Sequence, residues 1–372
     1  MNNRFESLAL SGVRSLRPYE PGKPISELER EYGVKNIIKL ASNENPLGPS
    51  PVALEKCRDS LRELQLYPDG NGFALKQALA TMHDVELSCI TIGNGSNEIL
   101  ELVARTFLAP GLNAVFSQHA FAVYPIVTQA VGAESRITPA NKPDHEMPYG
   151  HDLEAMREQV NEDTRVVFIA NPNNPTGTWL RSDELESFLS NLPRHVIVVL
   201  DEAYVEYVLE TEYPDSIPWL KKYPNLLITR TFSKVYGLAG LRIGYSLCHP
   251  ELADLLNRVR QPFNTNTLAQ VAAVAALSDR EHLQKSITTN QQGMLMLMEA
   301  FAQMKIDTIP SVANFISFKT GKPGAEVYEQ LLRAGIIIRP ITNYGLPDFL
   351  RVTIGSTSEN QRFLDALQRI LT

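Results

Sequence analysis

Two charged residues stand where apolar runs end: Asp201 closes VIVVL, and Lys234 follows LLITRTFS. A lysine ending a buried strand is costly as a spectator, because its ammonium must be desolvated. Joined through its amine to an aldehyde, it has a chemical reason to be there. Pyridoxal 5′-phosphate is the obvious aldehyde. Its ring accepts electrons from a substrate carbanion when an acid partner keeps the ring nitrogen protonated, and Asp201 can supply that carboxylate. Each residue alone also reads as a strand-end acid or a solvated lysine, so the neighbouring motifs must decide.

A phosphate needs a cradle. GNGSNE (93–98) joins the apolar stretch CITIG to a helical pattern starting near Asn97, and the N–H groups of a helix start attract anions. Gly95, Ser96 and Asn97 are the candidates. The third glycine of G-x-G-x-x-G is missing, which argues against a dinucleotide site; an ordinary capped helix is the alternative. NPNNPTG (171–177) is a loop fixed by two prolines and a glycine, and LYPDG (66–70) taken alone is a turn.

The elements that must position these motifs alternate in type. From Ile37 to about Arg260, the β-rich runs NAVFS, RVVFIA, HVIVVLDEAY, NLLITRTFSK and IGYSL are separated by helical patterns such as 97–108 and 182–192. This order predicts a large α/β domain over 37–260, with a mostly parallel central sheet flanked by helices and ligands at its strand ends. Residues 1–36 read as an arm with a short helix at ISELEREYG, packing with the small domain or a partner subunit. Residues 261–372 run from a long helical stretch through NFISF, GIIIRP and LRVTIG to a closing amphipathic helix, and predict a smaller α+β domain. The chain's 372 residues suit two such domains sharing a cleft.

Composition narrows the partners. The balance of 35 Lys+Arg against 42 Asp+Glu gives −7, and no stretch concentrates basic residues, so the footprint of a nucleic-acid binder is missing. Cys57, Cys89 and Cys248 are widely spaced and lack neighbouring histidines, which argues against a disulfide framework or a zinc site and for a reducing compartment. No apolar run approaches the roughly 20 residues of a membrane helix, and the N-terminus has no signal-peptide pattern. The expectation is a cytoplasmic protein acting on small molecules, with no metal.

NPNNPTG, DEAY (201–204) and TFSKVYGLAGLRIGY (231–245) resemble the pyridoxal-phosphate aminotransferases of fold type I, over nearly the whole chain. LASNENPLGPSP (40–51), LYPDG, GNGSNEIL and the arginines of IIIRP and FLRVTIG make the chain similar to histidinol-phosphate aminotransferases in particular. The resemblance implies Lys234 as the cofactor-bearing lysine and Asp201 as the partner of the ring nitrogen. It assigns Asn174 and Tyr204 to the cofactor's 3′ oxygen, and Phe121 to the ring face. Ser233 and Arg242 join the helix start on the phosphate, with Thr231 a weaker candidate. Tyr67 is implied to reach the neighbouring subunit's cofactor phosphate, and hence a homodimer.

For the substrate, the resemblance puts Arg351 on the anion, and Arg339, ending GIIIR, is the second member of an ion-binding pair; a domain-interface salt bridge is the alternative for either. Tyr19, from the partner's arm, is implied near a substrate phosphate, and Asn43 on a segment that closes over a carboxylate. Phe121 stands where relatives often carry tyrosine, and Val235 where a small residue is usual, which predicts altered packing. The implied reaction, in L-histidine biosynthesis, moves an amino group between L-histidinol phosphate and 2-oxoglutarate. Its products are 3-(imidazol-4-yl)-2-oxopropyl phosphate and L-glutamate. Transamination of phenylalanine, tyrosine or prephenate, a regulator that has lost catalysis, and a β-lyase remain open.

Overall fold

The computed structural model describes residues 5–372, so the first four residues of the arm lie outside it. Its strands, in chain order, are β1 (Ile38–Lys39), β2 (Ile90–Gly93), β3 (Asn113–Ser117), β4 (Glu134–Thr138), β5 (Thr164–Ala170), β6 (Ile197–Asp201) and β7 (Leu226–Thr231). There follow β8 (Gly244–Cys248), β9 (Asp307–Thr308), β10 (Phe315–Lys319), β11 (Ile336–Ile337), β12 (Arg339–Pro340) and β13 (Leu350–Thr353).

A seven-stranded sheet runs β2-β8-β7-β6-β5-β3-β4. All its strands are parallel except β8, which runs against both β7 and β2. The segment between β7 and β8 holds only the 3-10 turn Ala239–Leu241. It lacks the helix that a parallel crossover normally uses, so the chain turns back. The central strands are apolar on both faces because both are covered. Val167, Ile169, Val198, Leu200 and Ile228 join one core with Leu185 and Phe188, while Val166, Phe168, Val199 and Leu227 join another with Ile99, Val103 and Tyr124. That division follows the two-residue period of a strand.

The smaller sheet, β12-β13-β10-β9, is antiparallel. Leu297, Phe301, Val327, Phe363 and Leu367, from three helices, pack on its Ile316, Phe318, Leu350 and Val352. Two expected boundaries move. The helix Thr267–Ser278 buries Ala269, Ala272, Ala273 and Ala276 with Ala53, Leu75 and Leu79 in the large-sheet core, so the smaller unit begins after it rather than at 261. At the other end, β1 pairs with β11, which ties Ile38–Lys39 to the smaller unit instead of opening the large domain at 37. The arm's helix Ile25–Tyr32 seats Leu28 against Ala41, Leu332 and Ile337.

Asp201 ends β6, and Ser233 and Lys234 follow β7. Asn174 follows β5, and Gly95 follows β2. These carboxyl ends emerge together, on the side where open parallel sheets bind ligands. Among the described residues, no helix is long and apolar enough to cross a membrane.

Candidate active site

Asp201 and Lys234 line one cleft, with a cavity volume of about 180 Å³. Lys234 Nζ donates to the Ser42 carbonyl at 3.1 Å and lies 5.6 Å from the centre of the Tyr204 ring. Burial, helped by the nearby Arg351 guanidinium, lowers this amine from its ordinary value to about 8. About a tenth of the amine is then neutral and nucleophilic at pH 7, far more than for an ordinary lysine.

Asp201 is 4% exposed. Its Oδ2 accepts from the Tyr124 hydroxyl and its Oδ1 from the Thr229 hydroxyl, each at 3.0 Å. Burial pushes the carboxyl up to about 6, against the pull of these donors and of the Ala203 N–H. Neither hydroxyl was singled out by the sequence: Tyr124 sits in the apolar helix Val123–Ala130, and Thr229 lies inside a buried strand. The available signal was register, because Thr229 lies directly opposite Asp201 in the β6–β7 pair.

The phosphate candidates also come together. The helix Ser96–Phe107 begins after Gly95, at φ +75°, with no side chain capping it; its first N–H groups have no intrahelical acceptors. Arg242 Nη1 donates to Ser233 Oγ at 3.2 Å. A Cβ on Gly95 would lie 2.4 Å from Arg242 Nη2, and one on Gly244 would lie 2.5 Å from the Ser96 nitrogen. Gly95 thus lets a guanidinium press against the helix start, and Gly244 lets β8 pack against it. Two positive groups side by side ask for an anion. Thr231 lines the same cleft, with its Oγ1 accepting from the Ser233 N–H at 3.1 Å.

Asn174 Oδ1 accepts from Arg351 Nη1, which leaves the Asn174 amide nitrogen as the free donor. The Tyr204 hydroxyl accepts from Asn43 Nδ2 at 2.8 Å, and the Asn43 N–H donates to Thr353 Oγ1 at 2.9 Å. Asn43, held at φ +56°, therefore ties Tyr204 to the smaller sheet. Phe121 lines the cleft and meets Tyr124 edge-on, with ring centres 5.9 Å apart. Amine, carboxylate, aromatic face and anion cradle form the donor set a pyridine aldehyde phosphate requires. Val235 is buried in the large core, and its carbonyl accepts from Asn45 Nδ2 at 2.7 Å.

On the opposite wall, Arg339 and Arg351 are register partners across β12 and β13. They are 7% and 5% exposed, and among the described residues neither makes an ion pair, so the salt-bridge alternative fails for both. Arg351 Nη2 donates to the Ala41 carbonyl at 2.8 Å, and its buried Nε has no partner. An orphaned donor of this kind costs about 1–3 kcal/mol, which an anionic ligand can offset. Arg339 Nη2 donates to the Glu20 carbonyl at 2.5 Å, with its guanidinium 5.9 Å from the Tyr19 ring centre. This tether brings Tyr19 into the lining of its own chain's cleft. Tyr67 does not line this cleft; it is 81% exposed and stacked on Phe263, with centres 4.6 Å apart.

Comparison with known proteins gives the family. The family model described as aminotransferase class I and II matches residues 35–367. A histidinol-phosphate aminotransferase 1 of Nitrosococcus oceani is 57% identical, over 99% of this chain and 98% of its own. A histidinol-phosphate aminotransferase 2 of Pseudomonas fluorescens is 57% identical, over 100% and 99%. Among solved structures, the histidinol-phosphate aminotransferase of Sinorhizobium meliloti in complex with pyridoxal-5'-phosphate superposes with a TM-score of 0.87 at 27% identity, covering 97% of this chain and 96% of that one.

Proposed function

The chain belongs to the class I and II aminotransferases, and from that premise we propose that it moves an amino group between L-histidinol phosphate and 2-oxoglutarate, in L-histidine biosynthesis. The observation that carries this reading is the meeting of Lys234 and Asp201 in a cleft whose far wall holds two buried arginines free of carboxylates. Two guanidinium forks suit a pocket that must accept both the carboxylates of glutamate and the phosphate of histidinol phosphate in turn.

When bound, pyridoxal 5′-phosphate supplies a carbonyl for the amine and a cationic ring that withdraws electrons from the substrate Cα. Arg242, Ser233 and the N–H groups of Ser96 and Asn97 would hold its phosphate. Asp201 provides the negative charge for the ring nitrogen. Tyr204 and the free Asn174 amide would donate to the 3′ oxygen, and Phe121 would cover the ring face. Lys234 would hold the cofactor through its Nζ. Once freed by the substrate amine, its neutral Nζ would take the proton from the substrate Cα and return it to the former aldehyde carbon of the cofactor, two bonds away across the shared nitrogen, as a general base and then acid. Arg351 orients the substrate through its anion, with Arg339 and Tyr19 beside it. The keto product leaves before the second substrate enters.

We also propose a cytoplasmic homodimer. Support comes from the free thiols of Cys57, Cys89 and Cys248, and from the exposed, stacked pair Tyr67 and Phe263, with Leu64, Leu66 and Phe73 of the same stretch of sequence as Tyr67 also exposed. The test of substrate is kcat/KM for histidinol phosphate against phenylalanine, tyrosine and prephenate on the purified protein. A clear preference for histidinol phosphate is expected; a preference for an aromatic substrate overturns the assignment.

A further inference from the structure

We propose that Tyr124 and Thr229 are positioning residues for the transamination, holding the Asp201 carboxylate anionic and in one orientation for the ring nitrogen of the cofactor. The inference rests on the function proposed above and deepens it. Each hydroxyl takes a different carboxylate oxygen, Tyr124 on Oδ2 and Thr229 on Oδ1, both at 3.0 Å. Both residues are fully buried.

The two donors are themselves fixed. The Tyr124 ring stacks on Phe168, with centres 4.8 Å apart and planes 9° apart, and meets Phe121 at 88°. Thr229 is locked by strand register opposite Asp201. Neither can swing away without unpacking a core. Burial and the Asp201 charge raise the Tyr124 phenol well above its ordinary range, so it keeps its proton and acts as a donor.

The need for them follows from electrostatics. A carboxyl this buried, beside Glu202, is pushed towards its neutral form. A neutral carboxylic acid would present a proton where the ring nitrogen must also carry one. Hydroxyl donors favour the anion, and hydrogen bonds to charged groups are the stronger class. Of the other ionisable groups lining the cleft, Lys234 and Tyr204 interact with Asp201 through space. Phe121 has no hydroxyl to contribute; the aromatic O–H of this helix lies three residues on and serves the acid instead.

A merely structural phenol would also be buried and bonded, so the test must separate the roles. Apo-protein is titrated with pyridoxal phosphate and with its 1-deaza analogue, in which C–H replaces the ring nitrogen. Tyr124→Phe and Thr229→Val are each expected to weaken pyridoxal phosphate about 10-fold to 100-fold, while leaving the analogue's dissociation constant unchanged or tighter. Equal losses for both ligands, or no loss for either, overturn the proposal. If Tyr124→Phe fails to fold, as judged by its thermal transition, Thr229→Val decides alone. Wild-type protein that binds neither ligand overturns the cofactor assignment itself, an outcome distinct from a variant that treats the two ligands alike.

Discussion

One methyl group added at Gly95 probes the phosphate cradle. Gly95 has φ +75° and ψ 168°, a region that only glycine occupies readily, so alanine there costs about 1–3 kcal/mol of folding stability. The new Cβ would lie 2.4 Å from Arg242 Nη2. The backbone of the helix start cannot yield, because Gly244 already packs against the Ser96 nitrogen. The guanidinium must therefore swing out. Losing one charge-assisted hydrogen bond to the phosphate removes about 1.5–3 kcal/mol, or about 10-fold to 100-fold in affinity. Titration of Gly95→Ala apo-protein should show that loss for pyridoxal phosphate and none for pyridoxal, which has no phosphate. An unchanged constant for the phosphate, or the same loss for both ligands, would refute the argument.

Two further consequences can be measured. The Lys234 amine is lowered from 10.5 to about 8, so the reactive neutral form accumulates as pH rises through about 8. The rate at which apo-protein captures pyridoxal phosphate should climb through that value and then level off; a rise continuing towards 10.5 contradicts it. Glu202 is fully buried, with Oε2 accepting from Arg230 Nε at 2.9 Å and Nη2 at 2.7 Å. Glu202→Gln leaves a buried guanidinium unpaired and should cost about 3–5 kcal/mol in denaturant unfolding. A loss below about 1 kcal/mol would mean that the pair behaves like an exposed one.

Much of this architecture is legible in the residues, because the central strands carry unbroken apolar runs and the chemistry lies at their ends. Asp201 and Lys234 are visible for that reason: each interrupts a pattern. Tyr124 and Thr229 interrupt nothing. A buried tyrosine in an apolar helix and a threonine in a strand satisfy the same pattern whether or not they touch an acid. The sequence does not say which unit the helix Thr267–Ser278 packs on, because its alanine face is compatible with either core, and periodicity says which face is buried but not against what. The reversal of β8 depended on the length and content of the preceding connection. The position of Tyr19 depended on the Glu20 carbonyl meeting Arg339, a contact across more than three hundred residues of chain.

Borohydride reduction of the holo-protein, followed by peptide mapping, examines the lysine on which all of this depends. The pyridoxyl group should be found on Lys234, and Lys234→Ala should carry no fixed adduct and show no turnover. A pyridoxyl group on any other lysine, or normal turnover by Lys234→Ala, would contradict the mechanism.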